Sequence, residues 1–208
     1  MKNKKEIFET VEIIAGSLNI SGYKTVLATN LVLCKNFYAP DAEKVEIPGL
    51  IRAWNVLIKN ATFADFSNIE ETVCFDGRKL KNVNAPKYRM SGNLHFHSAG
   101  IINAPKVQVD GNLYAFNAHT IIVKDVNGKL YCNKTAVVEG NCKEIKRNDN
   151  WVFVNNKVFI ITEEKNKKCV LVSEDGEYNP HAILNKYGEW VLHSNLISNI
   201  KRDMEKGI

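Results

Sequence analysis

The feature that most constrains this chain is a short unit written three times between Ser91 and Cys132. The segments SGNLHFHS, DGNLYAFN and NGKLYCNK each place a glycine and a polar residue before a leucine, after which apolar and polar side chains alternate. The near-twins NAPKYRM and NAPKVQV recur around them. A repeat this short predicts stacked coils, because one unit cannot bury its apolar side without neighbours.

Fainter copies extend the repeat in both directions. Aligned on the residue before the polar position, they predict about six to eight coils of about 18 residues each. Such coils are too short for a strand and a full helix, so strands and turns should build them. The aligned copies start at Gly16, Thr29, Trp54, Gly77, Gly92, Gly111, Gly128 and Gly140. Asparagine recurs at the corners, where equivalent side chains can form a ladder from coil to coil.

We therefore predict a mainly β protein whose residues 16–145 form a short β-solenoid. Residues 1–15 are predicted to form an N-terminal capping helix, because Ile7, Val11 and Ile14 have helical spacing and Gly16 can end the helix. The alternative is that this segment forms the first coil, since VEIIAGSLNI also fits two short strands.

Residues 146–208 lose the repeat and are predicted to form a separate β-hairpin/helix module. WVFV and KVFIIT flank Asn155-Asn156 and predict a hairpin. CVLVS and GEWVLH are further strand candidates. Ser194 is a candidate N-cap for a final helix that carries Leu196, Ile197, Ile200 and Met204.

Composition indicates a cytoplasmic protein without a membrane span. The apolar runs are all much shorter than the roughly 20 residues that a membrane helix needs. The five cysteines are odd in number and form no CxxC pair, which favours free thiols that fill the core. The basic N-terminus is interrupted by Glu6, Glu9 and Glu12, unlike a signal peptide.

The outward side of the coils carries the strongest functional signal. Alternation in NLHFH puts His95 and His97 on the side opposite Leu94 and Phe96. Carried across the stack, the outward rows become Val32, Leu57, Lys81, His95, Tyr114, Tyr131 and Cys34, Lys59, His97, Phe116, Asn133. Aromatic and basic side chains together are typical of binding anchors. The predicted partner-binding residues are His95, His97, Tyr114, Phe116 and Tyr131, with Lys59, Lys79, Lys81 and Arg89 adding positive charge. The alternative is that the C-terminal module, a helix or a second copy covers this face.

The sequence offers no catalytic motif, so we predict that the protein is not an enzyme. It lacks a phosphate-binding Gly-rich loop followed by Lys, GxSxG, HExxH and a paired-carboxylate motif. His95 and His97 have the spacing of a metal pair on a strand, but an evident third ligand is missing from the sequence. We predict no metal and no cofactor.

Two further interpretations stay open beside recognition of a protein. Six basic residues and no acid lie between Asp76 and Asp110. The stretch 78–106 could therefore bind nucleic acid, or it could be a solvated surface balanced by acids from neighbouring coils. A structural protein that self-assembles is the third interpretation, and it would make the chain a homo-oligomer.

The segments GNLHF, GNLYA and GKLYC, followed by SEDGEY and the end from Trp190 to Lys206, resemble the leucine-rich-repeat-like β-solenoid proteins of bacteria and their phages. Some members of that group join a short solenoid to a compact tail with a final amphipathic helix. The resemblance implies recognition of a protein and no catalytic residues. For phage members it implies an inhibitor of a host defence complex, including anti-CRISPR activity.

Overall fold

The structure is a computed structural model that describes residues 5–9, 16–66, 68–84, 89–174, 176, 180–185 and 189–192. These residues form twenty β-strands and no helix. The chain divides into two compact units, Met1–Asp149 and Asn150–Ile208. The first unit is a β-solenoid of about seven turns, which confirms the predicted mainly β solenoid and agrees with the predicted six to eight coils.

Fifteen strands build the solenoid among the described residues. They are β1 (Lys5–Glu9), β2 (Leu18–Asn19), β3 (Tyr23–Leu27), β4 (Leu33–Tyr38), β5 (Lys44–Glu46), β6 (Arg52–Leu57), β7 (Phe63–Asp65), β8 (Glu71–Asp76), β9 (Asn82–Asn84), β10 (Arg89–Met90), β11 (Leu94–His95), β12 (Ile101–Val109), β13 (Leu113–Ala115), β14 (Thr120–Cys132) and β15 (Val137–Arg147). Strands β1, β3, β5 and β7 form a four-stranded sheet, and the others form an eleven-stranded sheet. The described strands of both sheets pair in parallel, as stacking of successive coils requires.

Successive coils are 19 residues apart along most of the solenoid. Phe37 pairs with Val56, and Val56 pairs with Phe75. The spacing shortens to 17 residues between Asn112 and Lys129, which occupy equivalent positions in successive coils. The aligned copies at Gly16, Trp54, Gly92, Gly111 and Gly128 fall on this lattice, whereas those at Thr29, Gly77 and Gly140 do not. Each coil has several Gly- or Asn-bearing corners, so a short motif can match the wrong one.

Inward side chains stack from coil to coil and form the core. One row is at most 1% exposed and consists of Phe37, Val56, Phe75, Leu94, Leu113 and Leu130. Aromatic rings reinforce the row, since Phe75 lies 4.7 Å from Phe66 and 5.5 Å from Phe96 between ring centroids. Full burial of a side chain of this size contributes about 2 kcal/mol, so the row is a main source of stability.

The glycines of the repeat allow neighbouring coils to approach closely at one corner. A Cβ on Gly111 would lie 2.4 Å from the Gly92 carbonyl oxygen, and one on Gly128 would lie 2.3 Å from the Gly111 oxygen. Gly111 N–H donates to Gly92 oxygen and Gly128 N–H donates to Gly111 oxygen, each at 3.1 Å. The three glycines are therefore required by backbone contact between coils.

The N-terminal capping helix is wrong for Lys5–Glu9, which forms strand β1. This strand pairs in parallel with β3, with Ile7 opposite Thr25 and Phe8 opposite Val26. The alternative interpretation, a first coil, holds for these residues because they gain a ladder that an isolated helix cannot supply. Residues 1–4 and 10–15 lie outside the described residues.

The second unit is an antiparallel sheet of five strands among its described residues. They are β16 (Trp151–Val154), β17 (Lys157–Lys165), β18 (Lys168–Ser173), β19 (His181–Leu184) and β20 (Trp190–Leu192), in that order across the sheet. The predicted hairpin is confirmed, since Asn155 and Asn156 have φ of 48° and 60° between β16 and β17. The sequence pattern does not predict strand β19, and the predicted final helix lies outside the described residues.

Candidate functional site

The predicted aromatic side chains lie together on the outward side of strands β11 and β13 and the end of β14. We call His95, His97, Tyr114, Phe116 and Tyr131 the aromatic face. His95 stacks on Tyr114 with ring centroids 4.5 Å apart, and Tyr114 stacks on Tyr131 at 5.2 Å. His97 stacks on Phe116 at 4.4 Å in the adjacent row. The rings thus form two columns along the stacking direction, as alternation in the sequence predicts.

The aromatic face is largely buried, although its side chains point away from the solenoid core. His95, Tyr114 and Phe116 are each 6% exposed, and Tyr131 is 3% exposed. His97 is half-buried. These rings stabilise the folded chain and offer little surface to an incoming partner.

Only part of each predicted row is correct, because the coil period is 19 residues. The first row runs through Tyr38, Leu57, Asp76 and His95, so Val32 and Lys81 do not belong to it. In the second row, Arg78 occupies the coil between Lys59 and His97. Cys34 belongs to the core, where it is 7% exposed and pairs in register with Ala53.

A polar cluster sits at one edge of the aromatic face. The nitrogens His95 Nδ1 and His97 Nε2 are 3.3 Å apart, so one ring donates to the other. Burial, with a smaller effect of Arg78, lowers the pKa of His95 to about 3. Burial, with smaller effects of His95 and Arg78, lowers the pKa of His97 to about 2. The two imidazoles are neutral at physiological pH.

The buried carboxylate of this cluster has a cationic neighbour. Arg78 Nη2 lies 2.8 Å from Asp76 Oδ2, and Arg78 Nε donates to Asp76 Oδ1 at 3.0 Å. Burial raises the pKa of Asp76, and Arg78 opposes that rise. The pair therefore compensates a charge on the face that would otherwise be costly to bury.

The predicted basic residues are distributed over several coils. Lys59 is half-buried in a corner, whereas Lys79 and Lys81 are exposed in the turn between β8 and β9. Arg89 lies on β10, where its Nη2 is 3.1 Å from Asp110 Oδ2. Two arginines of the stretch 78–106 are thus balanced by acids of their own or a neighbouring coil, as the solvated-surface interpretation predicts.

A second outward surface lies on the first halves of β4, β6 and β8. We call it the tryptophan face, and its side chains are Leu33, Lys35, Arg52, Trp54, Glu71 and Val73. Trp54 is 61% exposed, Leu33 43% and Val73 44%. They line an open groove of about 680 Å³ whose floor includes the buried Cys34, Ala53 and Thr72. This is a contiguous apolar surface on strands that the solenoid holds rigidly in register.

Charged side chains border the apolar centre of the tryptophan face. Lys35 Nζ lies 5.2 Å from the Trp54 ring centroid. Arg52 Nε lies 3.5 Å from Glu71 Oε2 in the neighbouring strand, and both side chains are mostly exposed. An ion pair this exposed contributes little to stability, so its charges are available to a partner.

The tryptophan face ends at the next coils, where the same outward positions become polar. Arg89, Gln108 and Asn127 side chains all donate to the carboxylate of Asp110. These hydrogen bonds, that from Asn127 most of all, lower the pKa of Asp110. The apolar groove is therefore confined to the strands β4, β6 and β8.

The sequence contains a signal for the tryptophan face that the irregular alignment hides. Trp54 appears as the start of a repeat copy, in the position that glycine occupies in the clearest copies. With the 19-residue period, Lys35, Trp54 and Val73 fill one outward position in three successive coils. Alternation with the core residues Cys34 and Ala53 then puts their side chains at the surface.

The cysteines near these faces are buried thiols. Burial raises the pKa of Cys34 to about 11. Burial, with a smaller effect of Asp76, also raises the pKa of Cys74 to about 11. At neutral pH both groups are therefore protonated thiols. Among the described residues, no group of three or more His, Cys, Asp or Glu side chains is placed to hold a metal ion. The described part of the chain also has no helix long and apolar enough to cross a membrane.

Comparisons with known proteins gave no match. No protein-family model, characterised protein or solved structure matches this chain.

Proposed function

We propose that this protein binds another protein through the tryptophan face and catalyses no reaction itself. The observation that carries the proposal is the exposure of Trp54, at 61%, between exposed Leu33 and Val73. Binding energy at protein interfaces concentrates in a few large side chains, and tryptophan is the residue most enriched among them. Exposed apolar surface with a charged border is typical of such interfaces.

The rigidity of the strands supports the same function. Trp54 lies between Ala53 and Asn55, which pair with Cys34 and Asn36 on one side and with Thr72 and Cys74 on the other. A side chain presented from the middle of a parallel sheet loses little backbone entropy when it binds. The aromatic face does not expose its side chains to a partner in this way, because most of its rings are buried within the chain.

The test is affinity capture of partners from cells of the native host, followed by mass spectrometry. The captured amount of a partner that the unmodified protein retains should fall at least about tenfold with Trp54→Ala. Phe63→Ala is the matched control, since Phe63 is 53% exposed, lies on β7, and has Lys44 Nζ 5.7 Å from its ring. Equal retention of every captured protein by both variants would contradict the proposal.

Inhibition of a host defence complex is the form of recognition that the sequence resemblance implies. CRISPR–Cas effector proteins are therefore the first partners to test for direct binding, with Trp54→Ala as the comparison. The nucleic-acid alternative makes a different prediction, namely oligonucleotide binding that weakens steeply as salt is raised. Oligonucleotide binding that Lys79→Glu and Lys81→Glu abolish, with no captured protein sensitive to Trp54→Ala, would favour that alternative.

A further inference from the structure

The tryptophan face is complementary to itself across two neighbouring strands. Arg52 of β6 pairs in register with Glu71 of β8, and Ala53 pairs with Thr72. Trp54 and Val73 follow at the next position of the same two strands. These four residues form a quartet at the centre of the face. Arg52 lies beside Glu71 in one row, and Trp54 lies beside Val73 in the next.

A two-fold axis that runs parallel to the strands, between β6 and β8, makes this quartet match a second copy. The rotation exchanges the two strands but keeps each residue at its position along the strand. Trp54 then faces Val73 of the second copy, and Arg52 faces Glu71 of the second copy. Each contact occurs twice, as an isologous interface requires.

We propose that the tryptophan face binds a second copy of this chain in this two-fold arrangement. The inference rests on the proposed function, because it names the protein that the face recognises. Two registered strands of one sheet then pack on the same strands of another, with apolar side chains at the centre and ion pairs beside them.

A two-fold axis parallel to the stacking direction loses this complementarity. It would exchange the two rows of the quartet instead of the two strands. Trp54 would then face Arg52 of the second copy, and Val73 would face Glu71. Apolar groups would desolvate charged ones without compensation, so the strand-parallel axis is favoured.

The extent of the tryptophan face sets the strength of the dimer. Outside the quartet, the rotation brings Leu33 of β4 over Arg89 of the second copy, which is already paired with Asp110, so the matched area ends with the quartet. The interface therefore falls at the small end of the range for specific complexes, below about 1,200 Å² in total. We expect a reversible dimer whose population depends on concentration.

Sedimentation equilibrium of the full chain tests the arrangement over about two decades of protein concentration. The unmodified protein should shift from monomer to dimer as concentration rises, and Trp54→Ala should weaken the dimer at least about tenfold. Arg52→Glu and Glu71→Arg should each weaken it by about tenfold, because like charges then face each other at both ion pairs. Phe63→Ala should leave the equilibrium unchanged.

The charge-exchange variant that combines Arg52→Glu with Glu71→Arg is the decisive measurement. It restores opposite charges across the two-fold axis, so dimerisation should return to within about threefold of the unmodified protein. Far-ultraviolet circular dichroism of each variant checks that the fold is retained. A combined variant that stays as weak as the single variants would overturn the proposed axis.

Two further outcomes would overturn the inference while leaving the proposed function distinguishable. In the first, the protein stays monomeric over the whole concentration range. In the second, it forms a dimer that Trp54→Ala does not weaken, so the dimer uses a different surface. In the monomeric case, capture of a different protein that Trp54→Ala abolishes would still support recognition through this face. Loss of both self-association and Trp54-dependent capture would remove the function and the inference together.

Discussion

One position of the repeat is filled in two different ways along the solenoid. In the earlier coils it holds Lys35, Trp54 and Val73, whose side chains reach the surface. In the later coils it holds Gly92, Gly111 and Gly128, where a Cβ would collide with the carbonyl oxygen of the preceding coil. The earlier strands β4, β6 and β8 run straight through this position, and so does β14 at Gly128, whereas the coils at Gly92 and Gly111 bend there and begin a new strand.

The asparagine that follows this position changes its role in the same way. In the earlier coils, Asn55 Nδ2 donates to Asn36 Oδ1 at 2.7 Å, a bond between side chains. In the later coils, Asn93 Oδ1 accepts from the Asn112 N–H at 2.9 Å, and Asn112 Oδ1 accepts from the Lys129 N–H at 2.8 Å. One repeat can therefore expose side chains in some coils and satisfy its own backbone in others.

Among substitutions at this repeat position, the largest effect on stability is expected from one that forces the later corner to resemble the earlier one. Gly111→Ala places a Cβ 2.4 Å from the Gly92 carbonyl oxygen and should lower the free energy of unfolding by about 3 kcal/mol. Gly16→Ala is the control, since nothing lies within 4 Å of the methyl group that it adds, and it should change stability little. Urea-induced unfolding measures both. Equal effects of the two variants would refute the close-contact explanation.

The buried histidines of the later coils should make the free energy of unfolding depend on pH. The folded pKa values of His95 and His97, about 3 and about 2, lie below the ordinary 6.5, so the folded state binds fewer protons than the unfolded chain. Their contribution to stability is complete above 6.5 and is lost as pH falls toward 3. Between about pH 7.5 and about pH 5 the loss should be on the order of 2 kcal/mol for each histidine, or about 4 kcal/mol for the pair.

The measurement is the pH dependence of urea unfolding, compared with a variant that replaces His95 and His97 by glutamine. That variant should lose the part of the acid sensitivity that the two histidines cause, whereas His119→Gln, at an exposed position, should retain it. An unchanged pH profile in the double variant would show that other groups are responsible.

The asparagines should give a smaller difference between the two regions. Asn112→Ala removes the acceptor of the Lys129 N–H and the donor to Tyr114 Oη, so we expect a loss of about 1.5 kcal/mol. Asn36→Ala removes exposed or half-buried bonds between side chains and should cost about 0.5 kcal/mol. Thermal and urea unfolding of the two variants compare them directly. A larger loss for Asn36→Ala would reverse the assignment of roles.

The smallest effect on stability is expected at Trp54, although its effect on binding should be large. Trp54→Ala removes a side chain that is 61% exposed and should change the free energy of unfolding by less than about 0.5 kcal/mol. Phe75→Ala, at a fully buried position of the same sheet, should cost about 4 kcal/mol and serves as the reference. A loss at Trp54 comparable with that at Phe75 would mean that the tryptophan supports the fold.

Much of the solenoid can be predicted from the sequence because stacking leaves a local record. The Gly-Asn-Leu copies predict the coils, and alternation correctly predicts that Leu94 is inward and His95 outward. The period is harder to obtain, since degenerate corner motifs at Thr29 and Gly77 compete with the true positions. The strand at Lys5–Glu9 is also hidden, because its apolar residues fit a helix and only its pairing with β3 favours a strand.

The sequence by itself determined the stacked β architecture, the turn at Asn155-Asn156 and, in the clearest copies of the repeat, the side of the sheet to which each alternating residue belongs. These features depend on backbone chemistry and on neighbours close in the chain. The tertiary structure decided which outward surface is covered. Exposure depends on groups distant in sequence, so His95 and Tyr114 are buried while Trp54, in an equally outward position, meets solvent.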